Sequence, residues 1–160
     1  MKVTYYGHSC FLVEVDGKRL LFDPFIKENP LAKNIDTKSI VADYILVSHG
    51  HGDHTGDVTS LALQTGALVV SNYEIGNWFE AKGVKKIHRM NTGGHWIFDF
   101  GKVKCVNAIH SSSMPDGSYA GNPMGFLIES SILMAYSQPA ETILFPRRLH
   151  CVYKELSHRS

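Results

Sequence analysis

One seven-residue stretch constrains this chain more than any other: Ser48-His49-Gly50-His51-Gly52-Asp53-His54. It directly follows Asp43-Tyr44-Ile45-Leu46-Val47, a short continuous apolar run of the kind a buried central strand shows. Sites of α/β proteins sit beyond strand ends, so the placement favours chemistry over a solvated histidine-rich turn. Neutral imidazole and carboxylate suit zinc and similar transition ions. His49 and His51, two apart in an extended segment, project to the same side. Gly50 and Gly52 remove side chains that would crowd an ion, and they permit a sharp bend. Asp53 and His54 address a neighbouring position, so one loop can feed two cations about 3.5–4 Å apart, as in two-metal hydrolases.

The surrounding pattern is that of an α/β sandwich. Val3 to Tyr6, Cys10 to Val15 and Arg19 to Phe22 read as three strands. Asp16-Gly17 is a hairpin signal, because such a turn needs positive φ at its central residues. Asp23-Pro24 ends the third strand, and Lys27 to Ser39 reads as a polar surface loop. After His54 the period changes: Asp57 to Thr65 and Asn72 to Lys82 read as helices closed by Gly66 and Gly83. Ala67 to Val70, Lys86 to Met90, Trp96 to Phe100, Val103 to Ile109 and Met124 to Glu129 read as further strands, with Ile132 to Tyr136 as one more candidate. A meander followed by strand–helix units predicts helices covering sheet.

Composition sets limits on function. Of 160 residues, 44% are hydrophobic and 19% charged, with a net charge of +1. These values argue against disorder and against a strongly basic nucleic-acid binder. Lys82, Lys85, Lys86 and Arg89 form the one basic cluster, which reads as a solvated face. No apolar run reaches the roughly 18 residues of a membrane helix, and the N-terminus reads as a strand, not a signal peptide. Cys10, Cys105 and Cys151 are odd in number and widely spaced, so a reducing cytoplasm is the expected compartment, with Cys10 and Cys105 in the core. Trp78 and Phe79 read as helix core; His88 reads as a surface residue, and so does His95, with a substrate-loop contact as its lesser alternative.

The H-x-H-x-D-H pattern of His49, His51, Asp53 and His54 resembles the signature of the metallo-β-lactamase superfamily. The resemblance extends to Met1–Ser9, Phe22-Asp23-Pro24-Phe25, Phe98–Val103 and Ala108–Ser113, covering about residues 1 to 129 in order. Together these look like the prokaryotic family of uncharacterised metal-dependent hydrolases related to the ascorbate-phosphate lactonases. The resemblance implies an αββα sandwich and two zinc ions, with manganese or iron(II) as alternatives. By position, His49, His51 and His110 would hold the first ion, and Asp53 and His54 the second. Asp53 would also orient the nucleophile, and Asp23 would support the histidine loop by hydrogen bonds, with an Asp-Pro turn as its alternative. His8 resembles a residue at the active-site rim, with a structural hydrogen bond as the equal alternative. The implied reaction is attack of metal-activated hydroxide on an ester, lactone or phosphodiester of a small-molecule substrate.

The resemblance also implies an aspartate in a Gly-Asp-Thr segment beyond Glu129 and a late histidine, both completing the second site. Here Ala135-Tyr136-Ser137-Gln138-Pro139 stands at the first place, no aspartate follows Asp116, and no glycine follows Gly125. The expectation is therefore a family domain over residues 1–130, with an atypical, truncated or frameshifted tail over 131–160. The alternative is a short variant in which Glu129, Glu141, His150 or His158 substitutes. On the truncated reading, one sheet loses the partner of its buried face, which favours self-association. Two readings compete with hydrolysis: an inactive metal-binding remnant, and a nuclease, the latter disfavoured by the near-neutral charge.

Overall fold

The computed structural model describes residues 2–130 and the backbone of residues 133–138 and 141–146. Two sheets form its frame. The first runs β1 (Lys2–Gly7), β2 (Cys10–Val15), β3 (Lys18–Phe22), β4 (Tyr44–Leu46), β5 (Leu68–Ser71) and β6 (Ile87–Arg89), neighbours in that order. β1 to β3 are antiparallel; β3 to β6 are parallel. Asp16 and Gly17 turn β2 into β3 with φ of 47° and 75°, as the two-residue hairpin requires. The parallel part needs crossovers, and the helical segments supply them. α2 (Val58–Thr65) links β4 to β5 and ends on Gly66 in the left-handed conformation. α3 (Tyr73–Ala81) links β5 to β6, with Asn72 capping its start through the amide of Ile75.

The second sheet is antiparallel, in the order β11 (Glu141–Pro146), β10 (Leu133–Gln138), β9 (Met124–Glu129), β8 (Gly101–Asn107) and β7 (His95–Phe98). β10 takes the place of the strand candidate at Ile132 to Tyr136, one or two residues later. The side chains of Glu141 and the whole of His150, Cys151 and His158 lie outside the described residues.

Alternation along the strands divides the apolar residues between two cores. Leu12, Leu21, Ile45, Val47 and Val69 point to the helices, where they meet Val58, Leu61, Ile75 and Phe79. Phe11, Val13, Leu20, Phe22, Leu46 and Val70 point the other way, onto Phe98, Phe100, Val103, Cys105, Met124, Phe126 and Ile128 of the second sheet. The rings of Phe11 and Phe22 stack at 4.4 Å, and Phe126 meets Phe22 edge-on at 6.3 Å. The inner face of the first sheet is thus covered: strands β7 to β9 supply the opposing face. Cys10 and Cys105 are fully buried, one in each core, and burial raises their thiols to about 12.

Other differences from the sequence reading are local. The 27–39 loop contains two single turns of 3-10 helix, at Pro30–Ala32 and Thr37–Ser39, each started by a side-chain cap from Asn29 or Asp36. β8 ends at Asn107, so Ile109 is not in the strand and stands exposed. His88 is half-buried because the end of the first sheet meets β7 there: its ring packs 5.0 Å from Trp96 and 5.1 Å from Phe98, and burial lowers its pKa. His95 is exposed, and Trp78 is half-buried with Phe79 in the core. No helix among the described residues is long and apolar enough to cross a membrane.

Candidate metal centre

The histidine loop leaves the end of β4 and is held from three sides. Below it, Asp23 follows β3 in a left-handed conformation, φ 42°, which aspartate tolerates better than most residues. Its Oδ1 accepts from the Ser48 amide at 2.8 Å, and its Oδ2 accepts from the Ser48 hydroxyl at 2.7 Å. The same Oδ2 lies 3.0 Å from His54 Nδ1. Asp23, Ser48 and His54 are all buried. On the second-sheet side, the Met124 amide at the start of β9 donates to the Ser48 carbonyl at 3.0 Å.

On the third side the 112–122 segment lies over the loop. The Gly50 amide donates to Ser112 Oγ at 3.2 Å, and that hydroxyl donates to the Ala120 carbonyl at 3.3 Å. Asn72 secures the segment by donating to the carbonyls of Ala120 at 2.6 Å and Asn122 at 3.2 Å. A Cβ on Gly50 would fall on Ala120 Cβ and lie 2.8 Å from Met114 Sδ and 2.9 Å from the Ser113 carbonyl. Gly50 is therefore required by close packing. Around Gly52 nothing lies within 4 Å. Gly52 instead opens α1 (Gly52–Thr55), a single helical turn that the sequence pattern did not indicate. Asp53 and His54 lie in that turn and fall in a donor group separate from that of His49 and His51.

Two groups of donor atoms result, each gathered within 4.8 Å. One comprises His49, His51 and His110; the other comprises His8, Asp53 and His54. In the first, His49 Nε2 is 3.0 Å from His51 Nδ1, and the His110 ring centroid lies 4.6 Å from that of His49 and 5.2 Å from that of His51. His49 is fully buried, and its Nδ1 is 3.0 Å from Ser48 Oγ. Burial, with help from the neighbouring imidazoles of His54, His51, His110 and His8, pulls its pKa down to about 2. The ring is thus held neutral, the form that ligates a cation. His110 is exposed and lies three residues past the end of β8, where the sequence pattern expected it to close the strand. The groups adjoin, with the His49 and His54 rings 4.1 Å apart.

His8 is the residue whose surroundings the sequence left open. It sits in the β1–β2 turn at φ 52° and is exposed. Its Nε2 is 3.1 Å from Asp53 Oδ2 and 3.2 Å from His54 Nε2. Asn72 and Ser112, which position the segment over the loop, escaped the sequence reading. The one available signal was an asparagine between a strand and a helix, which indicates a cap and no tie to a segment 48 residues away. The basic cluster is engaged locally: Arg89 binds Asn77 and Glu80, Lys86 reaches the Gly66 carbonyl, and Lys82 lies over the Trp78 ring.

Two facing sheets, helices on the outer side of the first, and an imidazole–carboxylate centre at the strand ends define the metallo-β-lactamase type of fold. A family model described as the beta-lactamase superfamily domain matches residues 2–137, and the chain belongs to that family. A protein of Flavobacterium johnsoniae named a metal-dependent hydrolase is 57% identical over 129 residues, which make up 81% of this chain and 57% of that one. One of Christiangramia forsetii with the same description is 52% identical over 130 residues, again 81% and 57%. The chain therefore spans little more than half the length of these relatives. Among solved structures, a metallo hydrolase from the archaeon Ignicoccus hospitalis is similar with a TM-score of 0.73 and 33% identity, over 85% of this chain and 59% of that one.

Proposed function

We propose that this chain carries the metal centre of a metal-dependent hydrolase acting on a small-molecule ester, lactone or phosphodiester. The observation that supports this most directly is the convergence of His49, His51 and His110, from two separate elements, on one point beside a second donor group. The donor chemistry fits zinc: three imidazoles, one of them locked neutral by burial, form the set that catalytic zinc sites use with a fourth position open. His49, His51 and His110 would hold one cation, and Asp53 with His54 would hold the other. Such cations supply an acidified water and positive charge against a developing oxyanion.

The chain's own residues have separate tasks. Asp53 is exposed at the mouth of the centre, so its carboxylate can accept a hydrogen bond from the attacking water and orient it. Asp23 holds His54 and Ser48, and through them the loop, without facing the solvent. The 112–122 segment, tied to Gly50 and Asn72, forms a wall beside His110 against which a substrate would lie.

Metal analysis of the purified chain tests this, with oligomeric mass measured in the same run. The parent should hold zinc, or manganese or iron, and His110→Ala should lose the first equivalent; undiminished metal in that variant overturns the assignment. Phosphodiester, lactone and thioester substrates are then offered with added Zn²⁺ or Mn²⁺. Turnover abolished by His51→Ala supports hydrolysis. Metal bound with no turnover supports the second reading, an inactive metal-binding module, which Ala135-Tyr136-Ser137-Gln138-Pro139, standing where the resemblance implies a Gly-Asp-Thr segment, favours.

A further inference from the structure

We propose that His8, from the turn between the first two strands, is the third protein ligand of the second cation site, completing a set with Asp53 and His54. The inference rests on the two-cation reading above and adds to it a ligand from a different part of the chain.

Three observations carry it. The first is distance. A tetrahedral ion with bonds of about 2.0–2.1 Å to nitrogen and oxygen holds neighbouring ligand atoms roughly 3.3 Å apart. His8 Nε2 stands 3.1 Å from Asp53 Oδ2 and 3.2 Å from His54 Nε2. These separations match two edges of such a tetrahedron, and all three atoms lie within 4.8 Å of one another.

The second is the direction of the lone pairs. His54 Nδ1 faces the buried Asp23 carboxylate at 3.0 Å, so the proton of the neutral ring belongs there and Nε2 presents a lone pair to His8. Asp53 presents a second lone pair to the same atom of His8. One proton on His8 can be shared between these two acceptors. A cation at their centre is bound by all three groups at once, with His8 as the third lone pair.

The third is that His8 is held in place. The Tyr5 hydroxyl donates to the His8 carbonyl at 2.9 Å. The preceding Gly7 has a φ of 102°, and a Cβ there would meet Asn29 Nδ2 at 2.9 Å and Leu31 Cβ at 3.1 Å, so the turn is seated against the 29–31 segment. The His8 ring is packed edge-on between Phe25, at 6.3 Å, and His54, at 4.9 Å. Among the described residues, Asp53 and His54 without His8 offer two ligands. His8 makes three, the number at which catalytic zinc sites keep one position for water.

The test uses the full chain, stripped with a chelator and titrated with Zn²⁺ by calorimetry, with bound metal counted independently. The variants are His8→Gln and His8→Glu, which share a shape. Glutamine keeps a hydrogen-bond donor to Asp53 but is a poor ligand; glutamate keeps the ligand. The parent should take two equivalents. His8→Gln should weaken the second on the order of 100-fold, the upper end of what an outer hydrogen-bonding partner costs, while the first stays unchanged. His8→Glu should retain the second. In a His110→Ala background, the equivalent that remains should be the one His8→Gln removes. Two equivalents at parental affinity in His8→Gln overturn the proposal and leave His8 as a hydrogen-bonding neighbour. A parent that binds a single cation, lost in His110→Ala, also overturns it while the first site stands. A parent that binds none overturns the metal-centre reading itself.

Discussion

Asp23 Oδ2 lies 3.0 Å from Nδ1 of His54, joining residues 31 positions apart beneath the histidine loop. The same carboxylate holds the amide and hydroxyl of Ser48. It therefore fixes both ends of the loop, and with them the direction in which the His54 ring presents Nε2. Replacing Asp23 with Ala leaves buried donors on Ser48 and His54 unpaired. We expect Asp23→Ala to cost about 1–3 kcal/mol of stability, measured by urea denaturation of the metal-free chain. Zinc affinity should fall about 10- to 100-fold in a titration. Unchanged affinity would mean that the bond is only structural.

The two glycines of the loop should respond in opposite ways. Gly50→Ala drives a Cβ into Ala120, Met114 and the Ser113 carbonyl, and a backbone oxygen cannot move aside cheaply. It should lower stability by about 1–3 kcal/mol and displace the 112–122 segment. Gly52→Ala meets open space at the start of α1 and should be neutral or stabilising by up to about 1 kcal/mol. Thermal melts of the two variants check this, and equal losses would contradict it.

Contact between the sheets should dominate stability. Phe22 is almost wholly buried, stacked on Phe11 and edge-on to Phe126 of the second sheet. Phe22→Ala should cost about 3–5 kcal/mol by denaturant titration. A loss below about 1 kcal/mol would show that the two sheets do not pack in solution as they do here.

An acid limb should be assignable to Asp43. Its carboxylate accepts from the Arg19 amide at 2.9 Å and from Arg19 Nε at 3.0 Å, and the side-chain bond to Arg19 is the largest cause holding its pKa below 3.8. A carboxyl depressed by folding stabilises fully above its unfolded pKa, and that stability is lost as pH falls through the lower folded value. The pair is partly exposed, so the whole contribution is about 1 kcal/mol or less. Asp43→Asn should be less stable than the parent at pH 6, and the gap should narrow below about pH 4. A gap independent of pH would assign the loss to packing.

The strands, the Asp16-Gly17 hairpin and helices α2 and α3 were legible because each is written in local signals: alternation, helical spacing, turn residues and caps. The gathering of imidazoles in the heptapeptide was legible for the same reason, since His49 and His51 are brought to one side by two-residue spacing alone. The helical turn at Gly52 was not, because four residues are too few to show a period. The end of β8 was missed because Ala108 and Ile109 extend the apolar pattern while the ladder with β9 stops at Asn107.

The sequence by itself thus determined the class of fold, the histidine loop and most of the elements, all of which depend on neighbours within a few residues. The family resemblance implied that His110 joins His49 and His51; only the tertiary structure decided that His8 reaches Asp53 and His54, 45 and 46 residues away, and that Asn72 anchors the segment over Gly50. Those meetings depend on strand order and on the facing of two sheets. Both are set by burying apolar faces across the whole chain, and no local propensity encodes them.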